Sequence, residues 1–140
     1  MAAEPVFLDT NGWLALLNAS DVLHRAAAAE WARVIEQRSA IVLTDWVVAE
    51  TGNGLARTAA RSRFAAAVEI LRASPRVRLV PVSEHLFARA LELYGGRPDK
   101  TWGLVDCASF LIMQDEGIRE AFTNDRHFGQ AGFRPLLPVL

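Results

Sequence analysis

The stretch that decides the fold runs from Asp99 to Phe128 and reads D-K-T-W-G-L-V-D-C-A-S-F-L-I-M-Q-D-E-G-I-R-E-A-F-T-N-D-R-H-F. It predicts a turn, a helix that opens at or near Asp106 and stops at Gly117, a short apolar strand, and a polar loop that holds Asp125. Open α/β sheets build their binding sites outside the carboxyl ends of the strands. The acids at the helix start and after the strand are therefore candidates for one site.

The bulk composition indicates a single globular domain over residues 1–140. The chain is 51% hydrophobic and 22% charged, which is typical of a folded domain with one core. No apolar run reaches the roughly 18–20 residues of a membrane span, and the N-terminus lacks a signal-peptide pattern. The single cysteine, Cys107, cannot form an internal disulfide, and we interpret it as a small buried hydrophobe. We therefore expect a cytoplasmic protein without membrane contact.

Charge is distributed unevenly although the net charge is only −1. Residues 1–53 hold three arginines and seven acids, residues 54–80 hold six arginines and one acid, and residues 81–140 hold six basic and eight acidic residues. A basic middle between acidic ends is compatible with phosphate-backbone binding beside an acidic pocket. Solvated helix faces would produce the same pattern, so charge alone leaves both interpretations open.

Apolar periodicity predicts strands that alternate with helical segments. The predicted strands are 6–8, 40–43, 77–82, 121–122 and 133–137. One predicted helix starts at residue 13, and the others cover 21–38, 46–51, 55–73, 84–94 and 104–116. Thr44 or Asp45 is the predicted N-cap of helix 46–51, and Ser83 is that of helix 84–94. This alternation indicates an α/β fold whose strands pair in parallel through right-handed crossovers.

Two more acids stand in settings like those of Asp106 and Asp125. Asp9 directly follows the first buried strand, where it either caps the next helix or belongs to a site; the sequence supports both equally. Glu50 lies on the third helix, and its apolar neighbours suggest that one flank is buried. A solvent-facing Glu is the more common case, and a site role requires Glu50 to point across the top of the sheet toward Asp9. Gly52 and Gly54 lower the helix propensity there by about 1 kcal/mol each. We expect close helix packing or a close backbone approach to require them.

Four carboxylates at the same edge of a sheet would repel each other unless a cation neutralises them. Oxygen ligands suit Mg²⁺ or Mn²⁺, and the chain has no zinc-type cluster of cysteine and histidine. A cation of this kind activates water and neutralises charge on a phosphodiester. A haloacid-dehalogenase-type phosphatase is excluded, because Asn11 stands where that family needs a second Asp.

Four segments resemble the PIN domain, and most closely the VapC-type toxins of prokaryotic toxin–antitoxin pairs. They are F-L-D-T-N, L-T-D-W-V-V-A-E-T-G-N, D-C-A-S-F and F-T-N-D-R-H-F-G-Q-A-G-F, and they occur in the family's order across essentially the whole chain. The resemblance implies a three-layer α/β/α sandwich around a mainly parallel sheet.

The resemblance also implies the site. The acids that bind Mg²⁺ or Mn²⁺ and carry catalysis fall on Asp9, Glu50, Asp106 and Asp125. Asn11 and Thr123 fall on polar positions that would support the acids. Val105 stands where the family often has a hydroxyl residue before the third acid. Because Val105 cannot cap the helix or bind a water, we expect local metal affinity to differ.

Residues around the acids suggest how RNA would be held. Arg57, Arg61 and Arg126 are candidate phosphate contacts, and Trp102, in the loop beside the site, is a candidate for base stacking. His127 lies two residues from the fourth acid and is a candidate general base. The family motif favours an anchoring role for that histidine, with hydrolysis relying on the metal.

The leading hypothesis is a Mg²⁺- or Mn²⁺-dependent endoribonuclease that is the toxin of a toxin–antitoxin pair. The resemblance implies an RNA substrate, a cognate antitoxin and a homodimer. One alternative is a housekeeping PIN-domain RNA-processing nuclease without an antitoxin. Another is a non-catalytic module that binds RNA or protein, although functional drift should have removed at least one of the four acids.

Overall fold

A computed structural model describes residues 3–140 and contains one five-stranded sheet. The strands are β1 (Val6–Leu8), β2 (Ile41–Thr44), β3 (Val77–Val80), β4 (Glu120–Phe122) and β5 (Arg134–Pro135). All neighbouring strands are parallel, in the order β3-β2-β1-β4-β5. The predicted α/β class with a parallel sheet is confirmed.

Helices cover both faces of the sheet. They are α1 (Thr10–Leu17), α2 (His24–Glu36), α3 (Asp45–Leu55), a 3₁₀ helix (Ala59–Arg63), α4 (Phe64–Ala73), α5 (Glu84–Gly96), α6 (Leu104–Glu116) and α7 (Arg126–Gln130). Helices α1 to α4 pack on one another, and α5 to α7 form a second group. The predicted three-layer sandwich is therefore confirmed. Across residues 3–140, every helix is too short or too polar to cross a bilayer.

The strand order places a crevice between β1 and β4. From β1 the chain moves outward to β2 and β3, then crosses back over the other face to β4 and β5. Because the two crossovers leave β1 and β4 in opposite directions, the loops at their carboxyl ends separate there. This is the switch point at which open α/β sheets hold ligands.

Several element boundaries differ from the sequence expectation. The first helix begins at Thr10, three residues before the predicted start, because Asp9 is already its extended N-cap. The predicted continuous helix 55–73 is broken: Thr58 turns back to Leu55 and its hydroxyl caps the 3₁₀ helix. Helix α7 occupies residues expected to be a loop, and the last strand is shorter than predicted. The caps at Thr44 and Ser83 are confirmed.

Glycines allow the helices to approach their neighbours closely. A methyl group at Gly12 would lie 2.0 Å from the carbonyl oxygen of Phe122, so α1 rests directly on the β4 backbone. A methyl group at Gly52 or Gly54 would lie 2.9 Å from a side chain, the Phe64 ring and Leu14 respectively. The expected close packing of these two α3 glycines is confirmed.

Candidate active site

The candidate site lies at the carboxyl ends of β1 and β4. Leu8 pairs with Phe122 in the parallel register, and the amide of Asp9 donates to the Phe122 carbonyl at 3.3 Å. The next residues along the two strands, Asp9 and Thr123, therefore lie side by side. Adjacent strands bring together two polar residues that are 114 positions apart in the chain.

Asp9 is buried, and its carboxylate faces Thr123 instead of capping its helix. It is 3% exposed, and its side chain makes no cap hydrogen bond to α1. The Thr123 hydroxyl donates to Asp9 Oδ2 at 2.8 Å. Burial, with smaller contributions from Asp106 and Asp125, raises the pKa of Asp9 to about 7 although the Thr123 hydrogen bond opposes the shift. The structure thus favours the site interpretation of Asp9 over the capping one.

Thr123 also connects the first acid to the fourth. Its hydroxyl oxygen accepts from the Asp125 amide at 3.1 Å while its proton goes to Asp9. Asp125 is the N-cap of α7, and its Oδ1 accepts from the His127 amide at 2.9 Å. The short helix α7 therefore begins at the site and positions the Asp125 carboxylate.

Asp106 enters the site from the first turn of α6. The helix begins at Leu104, and Asp106 Oδ2 accepts from the Gly103 amide at 3.0 Å, which fixes the carboxylate at the helix start. Burial raises the pKa of Asp106; the nearby Asp125 adds to the shift, and the Gly103 and His127 hydrogen bonds oppose it. Val105 is half-buried and supplies no hydroxyl, in line with the departure noted in the sequence.

His127 joins the carboxylates directly. Its Nδ1 lies 3.1 Å from Asp106 Oδ2 and 3.4 Å from Asp125 Oδ1, and its Nε2 lies 3.1 Å from the Thr101 hydroxyl. One possible ligand atom from each of Asp106, Asp125 and His127 falls within 4.8 Å of the others. From the sequence, His127 is expected to anchor its loop; its contacts with two acids of the site depend on the fold.

The donor set fits a divalent cation. Asp106 and Asp125 offer carboxylate oxygens within a small radius, and Asp9 is coupled electrostatically to both. Carboxylates suit Mg²⁺ and Mn²⁺, and an imidazole nitrogen is more typical of a transition metal than of Mg²⁺. The pKa values of Asp9 and Asp106 are raised in the protein alone, which is the condition that a bound cation would relieve.

Glu50 takes the solvent-facing placement, the more common of the two that the sequence left open. It is exposed on α3 and lies outside the group formed by Asp106, Asp125 and His127. Helix α3 turns its buried side, including Val47 and Thr51, toward the core. A ligand role of Glu50 thus stays a prediction, and the water-mediated form suits its exposure better than a direct bond.

The structure corrects the expectation for Trp102. The side chain is 7% exposed, its indole nitrogen donates to Gln130 at 3.0 Å, and its ring meets the Phe110 ring edge-on. The Arg97 guanidinium lies 5.0 Å from the ring centroid. Trp102 is therefore a packing residue of the loop before α6, and its ring is not open for base stacking.

The other candidate contacts lie on the surface. Arg57, Arg61 and Arg126 are exposed, and Arg61 also donates to the Ala56 carbonyl at 3.1 Å. Asn11 is exposed on the first turn of α1. Asn124, which was not among the residues predicted from sequence, lines a cavity together with Asn11. Its position immediately before Asp125 is the sequence feature that could have indicated a role for Asn124.

The fold and this carboxylate site define the class of protein. Residues 6–134 match the PIN domain family, and the chain belongs to that family.

Two curated relatives, from Mycobacterium tuberculosis strains CDC 1551 / Oshkosh and ATCC 25618 / H37Rv, are both named 23S rRNA-specific endonuclease VapC20. Each is 32% identical over 133 residues, covering 95% of this chain and 98% of the relative. The crystal structure of Mycobacterium tuberculosis VapC20, described as a Sarcin-Ricin loop cleaving toxin, superposes with a TM-score of 0.82 at 30% identity. That match covers 95% of this chain and 99% of the solved one.

Proposed function

We propose that this chain, acting as one PIN-like domain over residues 1–140, is a Mg²⁺- or Mn²⁺-dependent endoribonuclease. We further propose that it is the toxin of a toxin–antitoxin pair in the cytoplasm. The observation that carries the nuclease proposal is the meeting of Asp9, Asp106 and Asp125 at the switch point of a PIN fold. Relatives with 32% identity that are named rRNA endonucleases support RNA as the substrate class.

Each acid has a distinct part in this proposal. Asp106 and Asp125 would ligate the cation, with His127 as a nitrogen ligand or as a donor that orients both carboxylates. Asp9, held by Thr123, would complete the set, and Glu50 would act through water. A bound cation supplies an activated water and neutralises charge on the phosphodiester.

Burial gives Asp9 its importance in the proposed chemistry. A carboxylate in a low-dielectric setting interacts strongly with a cation that reaches it. The Thr123 hydrogen bond restricts rotation of the Asp9 carboxylate, so its oxygens are positioned before the cation arrives. Arg57, Arg61 and Arg126 are exposed cations that could hold flanking phosphates of the RNA.

A homodimer is the proposed assembly. Phe87, Leu91 and Tyr94 form an exposed apolar stripe along one side of α5, at 40%, 45% and 54% exposure. Residues spaced by three or four positions share a helix face, and large exposed apolar patches mark interaction surfaces. This stripe is distinct from the carboxylate site, and a cognate antitoxin is the second proposed partner.

Cleavage of a mixed RNA pool in Mg²⁺, Mn²⁺ or EDTA tests the nuclease proposal. We expect metal-dependent cutting that Asp106→Asn abolishes. In parallel, Mn²⁺ should raise the melting temperature of the wild type but not of Asp106→Asn. If the protein shows neither cutting nor metal-dependent stabilisation, the enzyme hypothesis is refuted and the non-catalytic module is favoured.

Growth of cells after induced expression distinguishes a toxin from a housekeeping nuclease. Induced expression of a toxin arrests growth unless a small protein encoded beside it is expressed too, whereas a processing nuclease needs no such partner. Growth arrest that Asp106→Asn abolishes and that the neighbouring protein relieves would support the toxin.

A further inference from the structure

A cavity of about 310 Å³ is lined by residues of α1, of the loop before α2 and of the loop after β4. The residues that shape it are Asn11, Leu14, Asp21, Val22, Leu23, Asn124 and Leu140. Two of them adjoin the acids in the chain, since Asn11 lies two positions after Asp9 and Asn124 directly precedes Asp125. The cavity therefore shares the segments after β1 and after β4 with the candidate site.

The cavity combines apolar walls with polar groups that are free to bind. Leu14, Val22 and Leu140 supply the apolar surface, and Val22 and Leu140 are 83% and 81% exposed. Asn11 is exposed and Asn124 is half-buried, so the side-chain amides of both are accessible in this lining. An apolar wall with a few polar groups is the usual lining of a site for a small planar group.

Asp21 adds a hydrogen-bond acceptor to this lining. Its Oδ1 accepts from the Leu23 amide at 2.9 Å, which holds the loop before α2 in place. That bond leaves Oδ2 available to a ligand. A carboxylate accepts hydrogen bonds from amino groups and repels phosphate, so the cavity is suited to a base rather than to the RNA backbone.

We propose that this cavity binds one unpaired nucleobase next to the scissile bond and favours a base with an exocyclic amino group. Asp21 accepts from that amino group, the amides of Asn11 and Asn124 contact the base edge, and the apolar side chains cover its face. Proteins read single-stranded RNA by such edge contacts and by packing on base faces. Uracil has no exocyclic amino group and is disfavoured. This inference rests on the proposed function and assigns its sequence preference.

Sequencing of cleavage ends tests the inference. An RNA pool with a randomised single-stranded segment is cut in Mn²⁺, and base frequencies around the cut are compared between variants. We expect the wild type to disfavour uracil by about tenfold at one position beside the cut. Asp21→Asn keeps the Oδ1 that accepts from Leu23 but replaces Oδ2 with a donor. This variant should raise uracil use at that position, and Asn124→Ala should flatten the preference there.

Gln37→Ala is the matched control, because Gln37 is an exposed amide at the far end of α2, about 20 Å from the cavity by helical rise. It should leave the preference unchanged. If Asp21→Asn and Asn124→Ala both cut with the wild-type preference, the inference is overturned, the nuclease stands and the cavity is left to a protein partner. If the wild type neither cuts in any metal nor gains thermal stability from Mn²⁺, the proposed function and this inference fail together.

Discussion

The hydroxyl of Thr123 donates to Asp9 Oδ2 at 2.8 Å and accepts from the amide of Asp125 at 3.1 Å. One side chain at the end of β4 thus positions two acids that come from different parts of the chain. Both the hydroxyl and the Asp9 carboxylate are buried, so neither can exchange its partner for bulk water.

Replacing Thr123 with valine should weaken metal binding while conserving shape. The variant leaves Asp9 without its donor and the Asp125 amide without its acceptor. We expect Mn²⁺ affinity to fall by about 10–100-fold and the folded state to lose about 1–3 kcal/mol. Calorimetric titration with Mn²⁺ and denaturant unfolding measure the two effects. Thr123→Ser keeps the hydroxyl and should behave nearly as wild type; equal Mn²⁺ affinity in the valine variant would contradict the role assigned to Thr123.

Metal-free protein should lose stability as the pH rises from about 4 to 7. Folding raises the pKa of Asp9 from 3.8 to about 7, so the folded state binds more protons than the unfolded chain in this interval. Deprotonation of Asp9 therefore lowers the free energy of unfolding by about 4 kcal/mol as the pH rises from about 4 to 7, at about 1.36 kcal/mol per pH unit. Asp106 acts in the same direction.

Urea unfolding in EDTA at several pH values measures this dependence. Asp9→Asn should flatten it, because the amide does not titrate, and Mn²⁺ should restore wild-type stability most at pH 7. An Asp9→Asn profile as steep as that of the wild type would assign the pH dependence to other groups.

Gly12→Ala should be strongly destabilising. The added methyl group would lie 2.0 Å from the Phe122 carbonyl oxygen, so α1 must move away from β4 and take Asp9 with it. We expect a loss of about 3 kcal/mol or more and reduced metal binding. Gly95→Ala is the control, since a methyl group there meets no atom within 4 Å and should stabilise α5 by up to about 1 kcal/mol. Thermal unfolding of the pair checks this, and similar melting temperatures would argue against close contact at Gly12.

Leu91→Glu should yield a monomer if the α5 stripe forms the dimer interface. Leu91 is 45% exposed at the centre of the stripe, so a charge there is tolerated by the monomer but costly in a buried apolar contact. Sedimentation velocity reports the oligomeric state, with Glu92→Ala on the same helix as control. A variant that remains dimeric with wild-type affinity would place the interface elsewhere.

Local patterns in the sequence determined the parallel α/β architecture and several helix starts. The buried runs of β1 and β2 and the caps at Thr44 and Ser83 depend on neighbours a few residues away, so they can be read without a fold. The spacing of the PIN-like segments likewise indicated which acids to examine. Asp9 and Asp106 lie at helix starts, where such residues are recognisable from sequence.

Tertiary structure alone decided how these residues meet. His127 reaches Asp106 across 21 positions and Thr101 across 26, which depends on how α6 and α7 pack. The same packing buries Trp102 against Phe110, while Glu50 stays exposed because α3 turns its other side to the core. Hydrophobic periodicity specifies which face of an element is apolar, but not which distant element covers it. Register and helix packing make that choice, and they bring the site's carboxylates, hydroxyl and imidazole together.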